Sequence, residues 1–138
     1  MGVNDRMGAG IPGSDAANFF HLELDIADLS ADATYTKIAA FNGRAVRAWS
    51  VIDGAVATAD VTIGLQNSAG TTMKVPGGGA AIITIATAAS ALGDVDVVQD
   101  IVNDNVLLQG QAMRFVVAGG GAGGSPRGHV VVMFEKIG

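Results

Sequence analysis

Gly128-His129-Val130-Val131-Val132-Met133-Phe134-Glu135-Lys136-Ile137 is the stretch that decides the fold. Successive side chains of a strand point to opposite faces, so Val130, Val132 and Phe134 share one face while His129, Val131 and Met133 share the other. Both faces are apolar. In an antiparallel sandwich one face normally meets water, so a two-sided apolar strand implies a covered outer face. Either the protein's own N-terminal segment or another subunit supplies that cover, and Val131 and Met133 are the candidate contact residues.

Working back from this strand, Gly119 to Arg127 links it to a second strong one, Met113 to Ala118. Val106 to Leu108 is a short strand set off by the turns Asn103-Asp104-Asn105 and Gln109-Gly110. The segment 87–101 is ambiguous: Ala88, Ala91, Leu92, Val95 and Val98 fit a helical stripe, but Gly93-Asp94 interrupts it, which leaves room for at most two helical turns. A strand is expected over Ala80 to Ala86. A hairpin precedes it, with Val61, Ile63 and Leu65 alternating with polar residues, a turn at Asn67-Ser68-Ala69-Gly70, and a return over Thr71 to Val75 that Pro76 closes. Arg44 to Ile52 forms a strand between the turns Asn42-Gly43 and Asp53-Gly54, and a short extended piece carries Tyr35 and Ile38. Phe20, Leu22, Leu24 and Ile26 alternate with His21, Glu23 and Asp25 in the first strand.

Roughly eight short strands, punctuated by Gly, Asn, Asp or Pro and with no competing long helix, read as an all-β antiparallel sandwich of jelly-roll type. Residues 19–138 form this single domain, long enough to bury roughly 68% of the unfolded surface. Residues 1–18 are rich in Gly and small polar residues without period and read as a flexible N-terminal arm, with Met7 and Ile11 as anchors on a neighbour. At the junction, Phe19 and Phe20 face opposite ways, so one ring is expected to point outward as a contact residue. Trp49, Phe115 and Phe134 read as core.

Composition narrows the function. Hydrophobic residues make up 49% and charged residues 15%, against about 25% charged in a typical domain. That little ionic cover suits a chain that hides a second surface against another. A net charge of −5 with scattered basic residues argues against nucleic-acid binding, which relies on clustered Lys and Arg. The absence of cysteine removes disulfides, thiolate metal sites and cysteine nucleophiles. The opening residues lack the pattern of a signal peptide, and Gly79 to Leu92 falls short of the ~20 apolar residues that span a bilayer. No membrane association is expected.

Motifs of chemistry are weak. Gly119 to Gly124 formally contains GxGxxG, but the chain leads through Ser125-Pro126-Arg127 into a strand rather than the helix a dinucleotide requires, so the run reads as a flexible loop tip. Asp94, Asp96, Asp100, Asn103 and Asp104 gather oxygens without the spacing of a calcium loop, and read as solvated turns. His21 and His129 stand far apart in sequence, and two imidazoles are too few for a zinc centre. No serine sits in a nucleophile elbow. No enzyme, metal or cofactor is expected.

The order of features resembles the small jelly-roll decoration, or cement, proteins of tailed-bacteriophage capsids. The likeness runs over residues 19–138: the acidic first strand Phe19 to Asp25, the Phe41-Asn42-Gly43 turn into Arg44 to Ile52, the hairpin Ala59 to Val75, Asn105 to Gly110, Met113 to Gly119, and the Gly-rich loop before Val130 to Phe134. The Gly-rich loop and the Ala-rich stretch near 87 depart from the pattern. The resemblance implies a homotrimer on the outer surface of the virion, bound to the major capsid protein and stabilising the head. The alternative from another class is a carbohydrate- or receptor-binding β-sandwich module of a phage fibre or bacterial surface; an exposed Trp49 or Tyr35 would favour it.

Overall fold

The computed structural model describes residues 18–119 and 123–138. Nine strands run through them: β1 Phe19–Ile26, β2 Ala33–Ile38, β3 Gly43–Ile52, β4 Val61–Gln66, β5 Ile82–Ile85, β6 Val95–Val98, β7 Val106–Leu107, β8 Ala112–Ala118 and β9 Gly128–Lys136. Every pairing is antiparallel. One sheet has the order β1-β9-β3-β6, with β7 also on β3, and the other has the order β2-β8-β4-β5. Two four-strand paths, the first and last strands side by side, and a chain that crosses repeatedly between sheets make this a jelly roll. The arm expected over residues 1–18, with Met7 and Ile11, lies outside the described residues except for Asn18.

The interior is filled by the alternation that the sequence displays. Leu22, Leu24 and Ile26 of β1, Val130, Val132 and Phe134 of β9, Ile63 and Leu65 of β4, and Met113, Phe115 and Val117 of β8 are all buried between the sheets. A fully buried side chain of this size contributes roughly 1.5–3 kcal/mol, so this layer is the main source of stability. Phe20 lies parallel to Phe134 with ring centroids 5.0 Å apart and meets Phe41 at 5.5 Å, closing one end of the core.

Two expectations need correction, and that of at most two helical turns over 87–101 holds but lacked a strand. The returning hairpin arm Thr71 to Val75 is not a strand: it makes only isolated bridges, Gln66 with Thr72 and Lys74 with both Ala80 and Asn103, because Pro76 and its glycines stop the ladder. The segment 87–101 holds a single 3₁₀ turn, Thr87–Ala89, and then β6, since alternating Val residues win over the helical stripe once a sheet edge is available. Trp49 is not core. It sits half-buried on the outward face of β3, for a reason the register supplies. The β9 ladder pairs Met133 with Arg47 and Phe134 with Ala45, so Val46 is an extra residue. A bulge of this kind flips the facing of everything beyond it. Ala45 points inward on one side of it, and Ala48, Ser50 and Ile52 on the other.

The Gly-rich run is also more than a loop tip. Gly119 is buried with its backbone pressed against the carbonyl of Leu29, and its N–H donates to Asp32 Oδ1 at 2.9 Å. Gly124, at φ +80°, lies against the carbonyl of Ala55. Both ends of the run are clamped.

Candidate functional site

The outer face of the five-stranded sheet gathers most of the residues that can recognise something. The strand registers place them in rows running from β1 across β9 and β3 to β6: Glu23, Val131, Trp49 and Val97 form one, and Asp25, His129, Val51 and Val95 the next. Chemistry therefore changes across the face, from carboxylates on β1 to branched apolar side chains on β6. Arg47 holds its guanidinium 5.6 Å from the centre of the Trp49 ring, and His21 meets that ring edge-on at 6.0 Å. A cleft of about 630 Å³ opens at one end, bounded by Asp25, Val51, Asp53, Leu92, Arg127 and His129.

His129 is held by two carboxylates of the neighbouring strand, with Nδ1 2.6 Å from Asp25 Oδ1 and Nε2 2.9 Å from Glu23 Oε1. A neutral imidazole has one N–H, so only the imidazolium donates to both. The hydrogen bond to Asp25 is the chief reason its pKa lies above 6.5, with Glu23 adding to it and partial burial opposing. On the inward side of the same sheet, Ser50 and Asp96 are register partners across β3 and β6. Ser50 Oγ and Asp96 Oδ2 are both buried without a hydrogen-bond partner among the described residues. Desolvation, and then the nearby charge of Asp94, raises the Asp96 pKa above 3.8.

These two groups give the stability a defined pH dependence. Each binds its proton more tightly folded than unfolded. The Asp96 contribution is complete below pH 3.8 and is lost as pH rises through its folded value; the His129 contribution is complete below pH 6.5 and is lost as pH rises through its own. The melting temperature is therefore expected to fall as pH rises above 6.5 through the folded-state value of His129, and His129→Gln should flatten that part of the curve. A wild-type profile that is level or rising there contradicts the clasp.

The residues expected at an interface are placed as follows. Phe19 points outward with 43% of its surface exposed, whereas Phe20 turns inward onto Phe134. Met133 is half-buried on the outer face. Val131, on the same face, retains only 8% exposure within the single chain, because it lies on a central strand between two larger side chains, Glu23 and Trp49. Its burial needs no second subunit. Leu92, Val95, Val97, Val102, Val106 and Leu108 are all exposed, and Val51 joins them at 37%. They occupy one flank of the sandwich, along β6 and β7. Residue-by-residue reading missed this flank, although valines at every second position of a β6 that ends a sheet were its visible sign.

The carboxylates around residues 94–104 disperse: Asp96 faces inward, and Asp104 Oδ2 lies 3.7 Å from Lys74 Nζ. No group of three or more potential metal ligands converges among the described residues. No helix among them is long and apolar enough to cross a membrane. No protein-family model matches the chain, and no curated protein matches it either.

Proposed function

We propose that this chain is a non-enzymatic structural protein that works as a homo-oligomer, specifically a homotrimeric decoration protein on the outer capsid surface of a tailed phage. The observation that carries this reading is the flank of seven exposed branched side chains, Val51 and six between Leu92 and Leu108, in a chain with only 15% charged residues. Monomeric proteins rarely leave a contiguous apolar surface of more than a few hundred Å² in water. The jelly roll supplies a rigid body with loops at both ends, suited to contacts with several subunits at once. Three linked contacts raise one another's effective concentration, so avidity exceeds single-site affinity by roughly 10²–10⁴. The mechanism is mechanical: tying neighbouring subunits of the major capsid protein together resists the outward pressure of packed DNA.

Sedimentation of the purified protein, alone and with DNA-filled heads of the phage that encodes it, tests this. A trimer at micromolar concentration that saturates assembled heads and ignores free capsid subunits is the expected result. Failure to bind heads overturns the reading. Deleting residues 1–18 is expected to weaken capture by heads while leaving the trimer intact.

A carbohydrate-binding module is the second reading, favoured by one observation, the outward placement of Trp49 next to a cleft with ionisable walls. Arg47 already lies over that indole, which competes with sugar stacking. Glycan binding that Trp49→Ala abolishes would select this reading over the first.

A further inference from the structure

The β6–β7 side of the five-stranded sheet and the outer face of the four-stranded sheet differ in a complementary way. Between Lys74 and Arg114 the chain contains no Lys or Arg but has Asp94, Asp96, Asp100 and Asp104. That stretch builds the exposed apolar flank along β6 and β7, to which the exposed Asp100 and half-buried Asp94 add negative charge, whereas Asp96 faces inward and Asp104 is paired with Lys74. The outer face of the four-stranded sheet differs in charge. All but one of its outward positions are uncharged, the small Thr34, Thr36, Thr62, Gly64, Thr84 and Val116 beside the exposed Ile38 and Ile82, and register pairs Thr36 and Gln66 with the one charged residue among them, Arg114. A face without carboxylates and with a single cation receives an acidic apolar surface without like-charge repulsion. The exposed Ile38 and Ile82 give it apolar contact area beside Gly64 and the short threonines.

We infer that the two surfaces bind each other between copies of this chain, the β6–β7 flank of one copy seated on the outer face of the four-stranded sheet of the next, with Arg114 opposite the flank's carboxylates. This deepens the oligomer reading above and rests on it. Flank and face belong to an edge and a side of the same sandwich, so they are not parallel. A head-to-tail contact between them rotates each copy relative to the last, and such a heterologous contact closes as a ring when the rotation divides the circle. Three copies give a closed trimer in which both surfaces are covered on every subunit. An isologous contact of two flanks is disfavoured, because it would oppose acidic surfaces.

Charge reversal with rescue tests the inference on the full chain. Arg114→Asp and Asp100→Arg should each raise the dissociation constant of the oligomer about tenfold or more, measured by sedimentation, with thermal melts showing that each variant folds. The double variant should recover wild-type association. Where a reversal prevents folding, Arg114→Gln and Asp100→Asn provide the same comparison with a smaller effect. Single variants that associate like wild type, or a double variant no better than either single one, overturn the assignment. A wild-type monomer that still coats heads also overturns it and leaves the decoration reading standing. An oligomer that obeys the charge swap but ignores heads overturns the decoration reading alone.

Discussion

Gly119→Ala is expected to destabilise the protein by about 3 kcal/mol or more, a large part of the ~5–15 kcal/mol that holds a domain of this kind together. A Cβ built on Gly119 would lie 1.8 Å from the carbonyl oxygen of Leu29 and 2.9 Å from its carbonyl carbon. Both obstacles are backbone, so no rotamer change relieves them. Leu29 cannot retreat, because its side chain is fully buried and its N–H donates to the carbonyl of Pro126 at 2.9 Å. Gly128 adds a second clamp, where a Cβ would lie 2.8 Å from Leu29 Cδ1. The β1–β2 connection is thus pinned by the glycines at the end of β8 and the start of β9. Gly77→Ala is the matched control: at φ +89° with nothing within 4 Å, it should cost only the ~1–2 kcal/mol of left-handed backbone strain. Urea midpoints compare the two. A Gly119→Ala midpoint equal to that of Gly77→Ala would mean that the close approach to Leu29 does not exist in solution.

Phe134→Ala should cost about 3–5 kcal/mol and lower the melting temperature by roughly 10–20 °C. The ring is fully buried, and it lies 5.0 Å from Phe20 with an angle of 11° between planes. Removing it leaves a cavity at the end of the core and forfeits an aromatic pair worth about 0.5–1.5 kcal/mol beyond buried area. It also frees Phe20 and Phe41, which close that end. Phe134→Leu, which refills most of the volume, should cost less than half as much. Equal losses for Ala and Leu would show that the stack, rather than the filled volume, sets the stability there.

The candidate site was legible in parts. Alternation alone puts His21, Glu23 and Asp25 on one face of the first strand and His129 on one face of the last. Nothing local says that these faces are the same surface, because the partners in the clasp are separated by 104 and 106 positions along the chain. Trp49 illustrates a different limit. Counting by twos from the inward Ala45 sends the indole into the core, and the extra residue Val46 reverses that parity only where β3 meets β9. A bulge is a property of two strands together, so one strand's sequence does not reveal it. The flank fared similarly: Val95 and Val97 alternate with Asp96 in plain view, but that β6 ends a sheet is a fact of strand order.

By itself, the sequence determined that the chain is all strand and turn, that a single apolar layer lies between two sheets, and which side of β1, β8 and β9 enters it. Those are consequences of side-chain period and turn chemistry, which act over a few residues. Only the tertiary structure decided that the first strand lies beside the last, that Leu29 is locked between two glycines, and that seven exposed branched residues gather on one flank. Such features arise when distant segments pair, and the free energy that selects one pairing comes from burying both partners together.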